Sequence, residues 1–389
     1  MTSRYKPILV LSKYSSGEIL RVLPQDQFIV RDFSRNNFEL SILMRSALRR
    51  LPNWIGYAVT LIQQSRARVV ITGLDTNPYF YFLKHFLPEV QFISIQNGIR
   101  GSVANPGALN FWSQLSMISE LTNKNPIVDY LLTFGDAHSD LYDQYITGAK
   151  IPIGSIGNNN FVFDEVRHLG VRAEGLSLIS IFDGKPYSEL FEDGYLTSSK
   201  QLGKSQVSAR DYYRDHMKLA RVLAMYCREQ SIDFYILGKR EEDFKWEQEF
   251  FRRACQGLPY KLLLRPMNES SISSALRANL TISHGSTLGY ELFSRGHNVG
   301  FVNRSVDLDD PLFGHQFFYG YPDKYSNEGD FWTSDNSLQG IAKLVMRVVN
   351  GVRSSSPFAE LHNQRLMRFD PRNVGFTSLL SSLLSSVLS

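Results

Sequence analysis

Cysteine is nearly missing: Cys227 and Cys255 are the only two among 389 residues. Two thiols build neither a disulfide framework nor a cysteine-based zinc site, and they fit a reducing compartment. Long apolar runs are missing too. The basic N-terminal residues are followed only by Ile8-Leu9-Val10-Leu11 before Ser12-Lys13, too short for a signal peptide's apolar core. No stretch reaches the ~18 uncharged apolar residues of a membrane span. Charge of one sign is scarce. Lys and Arg number 42 against 38 Asp and Glu, a surplus too mild to argue for nucleic acid. Familiar phosphate and metal motifs are also absent. There is no Walker A sequence, no G-x-G-x-x-G after the first strand, no G-x-S-x-G, and no His pair at zinc spacing. Kinase, P-loop ATPase and simple dinucleotide readings lose support accordingly.

What is present is a globular composition: 43% hydrophobic, 13% aromatic and 21% charged. At ~150 residues per domain the length suggests two or three domains. Short apolar runs alternate with helix-period stretches, the pattern of parallel α/β units. The first half offers strands at Ile8–Ser12, Gln27–Val30, Val69–Thr72, Gln91–Gln96, Tyr130–Phe134 and Ile151–Gly154. The second half offers Leu176–Phe182, Asp233–Leu237, Lys261–Leu264, Leu280–Ser283 and Asn298–Val302. Helices are expected between them, Arg210–Gln230 the longest. The fold class predicted is α/β: two Rossmann-like lobes with parallel sheets facing an interdomain cleft. The lobes would cover 1–165 and 166–336, divided where Asn158-Asn159-Asn160 breaks the pattern, with a helical tail at 337–389. That tail holds six basic residues against Glu360 and Asp370. It ends in Phe376, Leu379, Leu380, Leu383, Leu384, Val387 and Leu388 at helical spacing, a helix that docks on one lobe or binds a membrane surface. Gly184–Val207 lacks helix periodicity and reads as a functional lid or a surface insertion.

Ligands of open parallel sheets bind beyond the carboxyl ends of the strands. In this chain those positions hold Gly73–Pro78, Asn97–Gly101, Gly135-Asp136, Asp183–Lys185, Gly238–Arg240 and His284–Glu291. The last segment is the most informative. Gly285 permits a tight turn and close approach. Ser286 or Thr287 is a plausible N-cap, which would open a helix whose N–H groups and positive dipole suit a phosphate. Glu291 does not fit a capping box, and one turn in it could hold ribose or sugar hydroxyls. The bland alternative is an ordinary strand–turn–helix link with a buried His284. Arg265, at another strand end, is a candidate guanidinium for the same phosphates, and Lys239-Arg240 a weaker one that also reads as a solvated helix start. Asp75 is a candidate base for an acceptor hydroxyl, with Asn77 beside it, although an Asx-type turn before Pro78 needs the same residues. Gln96-Asn97-Gly98 is ambiguous in the same way.

The run Thr281–Gly296 resembles the donor-lobe signature of bacterial surface-polysaccharide proteins of GT-B type: a Ser/Thr-rich turn, then Gly, an aromatic, Glu, and a Gly closing the helix. Phe92–Gly98 with Arg100, and Ile151–Ser155, resemble O-antigen and surface-carbohydrate biosynthesis proteins. The resemblance spans about Val69 to Asn303. It implies a glycosyltransferase that moves a sugar from a nucleotide-sugar donor to a surface-polysaccharide acceptor, O-antigen or capsule-like, with C-terminal helices crossing back. Arg265, His284, Gly285, Ser286, Thr287 and Glu291 would bind the donor; Asn77, Asn97 and Arg100 would bind the acceptor. No metal or other cofactor is expected, and Asp309-Asp310, followed by Pro311, reads as a turn. No motif supplies the base, so Asp75 is a choice made on position. The alternatives are a sugar-nucleotide 2-epimerase-like enzyme, a polyol-phosphate transferase, and a non-catalytic binding protein of the same fold. The expected partners are the donor and a glycan or lipid-linked glycan, with no nucleic acid. The expected location is cytoplasmic, with peripheral membrane contact through the basic, Leu-rich tail.

Overall fold

A computed structural model of the chain describes residues 6–11, 17–31, 39–47, 53–98, 111–160, 173–182, 199–202, 205–238, 244–264, 271–284, 286–302, 328–350 and 365–388. The chain forms two compact units. The first comprises 1–98, 106–160 and 368–389, the second 99–105 and 161–367.

The first unit runs β1 (Ile8–Leu11), α1 (Gly17–Val22), β2 (Phe28–Arg31), α2 (Leu40–Ala47), α3 (Asn53–Ser65), β3 (Val69–Thr72) and a 3-10 helix (Pro78–His85). It continues with β4 (Gln91–Ile95), α4 (Phe111–Thr122), β5 (Ile127–Thr133), α5 (Asp136–Asp143), β6 (Thr147–Pro152) and α6 (Ile156–Asn160). The strands form a parallel sheet in the order β2-β1-β3-β4-β5-β6. Ile8, Val10, Val69, Ile71, Ile93 and Ile95 share one buried cluster, while their neighbours Leu9, Val70 and Phe92 are buried as well. Burial of both kinds of position is why these strands read as unbroken apolar runs.

The second unit runs β7 (Ala173–Ile179), an antiparallel hairpin of β8 (Ser199–Leu202) and β9 (Ser205–Ser208), α7 (Ala209–Glu229), β10 (Asp233–Leu237), α8 (Phe244–Cys255) and β11 (Lys261–Leu263). Then come α9 (Ser271–Ala275), β12 (Ala278–Ser283), α10 (Thr287–Ser294), β13 (Val299–Val302), β14 (Trp332–Thr333) and α11 (Leu338–Val349). The main sheet is parallel, in the order β11-β10-β7-β12-β13-β14. Two successive parallel α/β sets are what the alternation of runs predicted. The segment expected to be one loop, Gly184–Val207, contains the β8–β9 hairpin; residues 183–198 lie outside those described.

Helix α11 belongs to the second unit, whereas α12 (Val374–Leu388) belongs to the first. Phe376, Leu380, Leu383 and Leu384 are buried in the cluster that holds Ile8, Val69 and Ile93. Each such burial is worth ~1.5–3 kcal/mol, so docking on a lobe accounts for the helix's apolar stripe. Residues 368–373 lead back through an amide clamp. Asn159 Nδ2 donates to Asn373 Oδ1 (3.0 Å), Asn373 Nδ2 to Asn160 Oδ1 (2.7 Å), and the Asp370 N–H to Asn159 Oδ1 (3.0 Å). Asn158–Asn160, read in sequence as a break, is therefore helix α6 with two of its amides holding the returning chain. Gly154, at φ +80°, makes room for that return: a Cβ there would sit 2.1 Å from the Arg368 carbonyl oxygen. Among the described residues, no helix is long and apolar enough to cross a membrane.

Candidate functional site

In the second unit the chain begins at β7, builds outward through β10 and β11, then returns to the other side of β7 with β12. The order reverses between β7 and β12, and the crevice outside the carboxyl ends of two such strands is where open α/β sheets bind ligands. Leu237 pairs with Ile179, and Ile282 with Leu178. The chain therefore leaves β7, β10 and β12 at one level, at Ser180, Gly238 and His284.

Helix α10 starts at this level. Ser286 is its N-cap in extended geometry (φ −114°, ψ 137°) with no side-chain capping bond, so no cap side chain occupies the first-turn N–H groups that suit an anion. Ser286 and Thr287 are half-buried. Gly289 sets how close the helix lies to β12, since a Cβ would come 2.2 Å from Ser283 Oγ. The tight contact performs the helix–strand packing that a third glycine performs in dinucleotide folds.

His284 is only 2% exposed. Its Nδ1 lies 3.2 Å from Nδ1 of His216, a fully buried residue of α7, and the two rings meet edge to edge, nearly coplanar, with centroids 5.5 Å apart and 14° between their planes. The Ile181 N–H, just past β7, donates to His216 Nε2 at 3.4 Å. On the β10 side, Ser180 donates through its hydroxyl to Glu247, a fully buried carboxylate on α8, and accepts from the Phe182 N–H at 3.2 Å. Glu291 is half-buried one turn into α10. Burial pushes the Arg295 guanidinium, four residues on, down to about 10, against the upward pull of the Glu291 charge.

In the first unit the order reverses between β1 and β3, and Asp75 follows β3. It is fully buried. Oδ1 accepts the Asn97 N–H at 3.1 Å, Oδ2 accepts the Tyr142 hydroxyl, and the backbone carbonyl accepts the Tyr81 hydroxyl at 2.8 Å. Each carboxylate oxygen of the residue chosen as base on position thus serves a protein donor away from solvent. In this arrangement Asp75 ties the Asn97 backbone to the Tyr142 hydroxyl. Asn77 caps the 3-10 helix, its Oδ1 accepting the Tyr79 N–H at 3.2 Å, the local role that an Asx-type turn predicted. Asn97 is exposed at the end of β4. Gln96 beside it is buried and ties β4 to β5: Oε1 accepts the Phe134 N–H at 2.8 Å, and Nε2 lies 3.1 Å from His138 Nδ1.

The structure thus brings His284, Ser286, Thr287 and Glu291 to one strand end and helix start, and joins Asp75 to Asn97. Arg100, Arg265, Gly285, Lys239-Arg240 and Asp309-Asp310 lie outside the described residues. The sequence reading missed His216, Glu247 and Tyr142. For His216 a signal existed: it stands in the stripe Tyr213, Leu219, Ala220, Leu223, Ala224, Cys227 of α7, all buried. A histidine among apolar stripe positions asks for a partner.

No match was found among curated proteins. Solved structures match over nearly the whole chain. One is HepE of Anabaena in complex with UDP (12% identity, 98% of this chain and 100% of that one, TM-score 0.50). Another is a variant of the wall teichoic acid polymerase TagF (13%, 99% and 91%, 0.54). A third is the UDP-GlcNAc 2-epimerase of Methanocaldococcus jannaschii in complex with UDP-GlcNAc and UDP (11%, 96% and 99%, 0.53). At these identities the likeness is one of fold, and the fold is GT-B. A family model described as "putative O-antigen biosynthesis protein" matches residues 93–384. That stretch includes most of β4, Asn97, the whole second unit and most of the returning α12, so the chain belongs to the O-antigen biosynthesis protein family.

Proposed function

We propose that the protein is a glycosyltransferase that takes a sugar from a nucleoside-diphosphate sugar and passes it to a surface-polysaccharide acceptor. The observation that carries this reading is the β7/β12 crevice, where the start of α10 and the buried His284 stand at one strand end. The start of α10 suits the donor diphosphate, and Glu291, one turn in, suits ribose or sugar hydroxyls. Family membership supports a place in O-antigen assembly, and two relatives of like fold were solved with UDP. In the transfer an acceptor hydroxyl oxygen bonds to the anomeric carbon and releases its proton to a base or to water, the bond to the diphosphate breaks, and the diphosphate leaves with the electron pair. Asn97, held by Asp75, is assigned to the acceptor side. The reaction is proposed to need no metal, with a glycan or lipid-linked glycan presented at the cytoplasmic face.

Thermal stabilisation by UDP, CDP, GDP and their sugars tests the donor site, because a ligand at 100 times its Kd adds ~2.7 kcal/mol. One nucleotide class is expected to raise Tm, with the shift lost in Glu291→Ala and His284→Ala. No shift with any nucleotide, in protein that melts cooperatively, overturns the assignment. Analysis of the sugar product then separates the chemistries. Transfer to a glycan is expected, whereas an isomerised free sugar or nucleotide sugar would point to an epimerase, and a nucleoside monophosphate product to polyol-phosphate transfer.

A further inference from the structure

The apolar stripe of α12 is buried in the core of the first unit, yet that unit carries a second apolar stripe that is not. Helix α2 packs on α3 through Ile42, fully buried, and Ser46. Its entry is fixed where the Glu39 N–H donates to the Tyr57 hydroxyl of α3 at 3.1 Å. Leu40, Leu43 and Met44 lie three and four residues apart on another face of α2 and are 73%, 41% and 65% exposed. Ala47, one turn on, is exposed as well. Single apolar residues on a surface are ordinary, whereas three large ones within about one helical turn mark an interaction site.

The connections place this stripe on a shared layer. From β2 to β3, β3 to β4 and β4 to β5 the chain moves in one direction across the sheet. Right-handed crossovers therefore put α2 and α3, the 3-10 helix and α4 on the same face. The packing agrees: α2 meets α3, α3 meets the 3-10 helix, and the 3-10 helix meets α4. Helix α1, whose connection runs the other way, shares the opposite face with α12 through Ile19 and Leu23. On α4, Trp112, Leu115 and Ile118 are buried while Met117 and Leu121, four residues apart, are exposed. Half of the exposed large apolar side chains among the described residues thus stand on this one layer. The charge of the segment that builds it is one-sided. From Leu40 to Leu74 the sequence has no acidic residue, against Arg45, Arg49, Arg50, Arg66 and Arg68. From Leu40 to Lys124 it has eight Lys and Arg against Asp75, Glu89 and Glu120, and Asp75 is fully buried. Arg45 is exposed on α2 itself.

We infer that this helical layer of the first unit, led by α2, is a docking surface for a bilayer that carries anionic phospholipid. Leucine and methionine side chains enter the boundary between headgroups and acyl chains, and the arginines meet the lipid phosphates. A second copy of the chain does not suit the layer, because a two-fold contact would set one basic surface against the same basic surface. An anionic bilayer supplies both complements at once, apolar depth and negative charge. The inference stands apart from the donor-site reading and does not depend on it.

The test is flotation of the whole chain with vesicles of phosphatidylcholine, alone or with a one-third share of phosphatidylglycerol. Binding to the anionic vesicles is expected, about tenfold or more above the neutral ones, and weaker at ~1 M salt, where the screening length shrinks to about 3 Å. The triple variant Leu40→Gln, Leu43→Gln, Met44→Gln keeps good helix formers at exposed positions. Its Tm should hold while its affinity for the anionic vesicles falls about tenfold or more. Arg45→Gln should weaken binding about fivefold. Met346→Gln with Val349→Gln changes an exposed apolar pair on α11 and should leave binding unchanged. A further readout leaves the apolar stripe almost whole: a polarity-sensitive dye on Met44→Cys should shift to the blue with anionic vesicles, and the same dye on Met346→Cys should not. Wild type that stays off anionic vesicles overturns the proposal, as do equal binding to both vesicles and an α2 variant that binds like wild type. A loss in the α11 pair as large as in the α2 variant overturns it too. A concentration-dependent dimer that the α2 variant abolishes, without vesicle binding, overturns it in favour of a second copy.

Discussion

Asp75 separates an anchor from a base by experiment. A general base contributes ~10²–10⁴-fold to rate, and its loss leaves the fold intact. An anchor does the reverse: removing it takes away the acceptor of the Asn97 N–H and of the buried Tyr142 hydroxyl, and a buried hydrogen bond lost in this way costs ~1–3 kcal/mol. Asp75→Ala is therefore expected to lower Tm clearly. Asp75→Asn should stay near wild type in both Tm and turnover, because its Oδ1 can still accept from Asn97 and its amide can donate to Tyr142. A collapse of turnover at unchanged Tm in Asp75→Asn would restore the base. The two thiols give a pH prediction. Burial pushes Cys227 and Cys255 up to about 12 from 9.0, so the folded state keeps the proton that the unfolded state loses. The sign follows: their stability contribution is whole below pH 9 and is lost between pH 9 and about 12. Denaturant titrations across that range should show it, and at pH 8 a thiol reagent should leave the native protein unlabelled. At this scale the sequence showed only half of each arrangement. Asp75 and His284 were legible because they punctuate strand ends. Their partners Tyr142 and His216 were not, because each comes from a helix 67 or 68 residues away.

The strands were the most legible elements, for a physical reason. Sheets covered on both faces need continuous apolar runs, and Val69–Thr72 and Asp233–Leu237 coincide with their predicted bounds. Short elements with little apolar content escaped: β14 is two residues long, and the β8–β9 hairpin sits in Ser- and Lys-rich sequence. Periodicity also exposed α12 while leaving open what it packs on, since an apolar stripe states how much must be covered and not by what. The packing now makes a prediction. Leu380 is 3% exposed, so Leu380→Ala should cost ~2–5 kcal/mol in a chemical denaturation monitored on the first unit. Gly289 gives the corresponding expectation for α10. Gly289→Ala drives a methyl into Ser283, should cost ~1–3 kcal/mol, and should weaken nucleotide binding by lifting the helix start away from β12.

Over the whole molecule, the first unit is built from the beginning of the chain and from residues 368–389, with most of the second unit inserted between. A protein cut after Met367 is therefore expected to lose the first unit and keep the second. Both cysteines lie in the second unit, so their resistance to thiol reagents provides the readout: protection should survive the truncation even as a large part of the native signal is lost. Labelling of both thiols in the truncated protein would show that the second unit needs the first.

That interleaving reverses the usual order of assembly on the ribosome. Domains commonly fold in the order they are made. Here the strands around Ile8, Val69 and Ile93 emerge first, but the helix that completes their cluster is translated more than two hundred residues later. During that interval the segment made first carries an open apolar face while the segment made second can close. The nascent protein therefore has most need of a chaperone on its oldest residues, and a slow stretch of translation before α12 would lengthen that exposure.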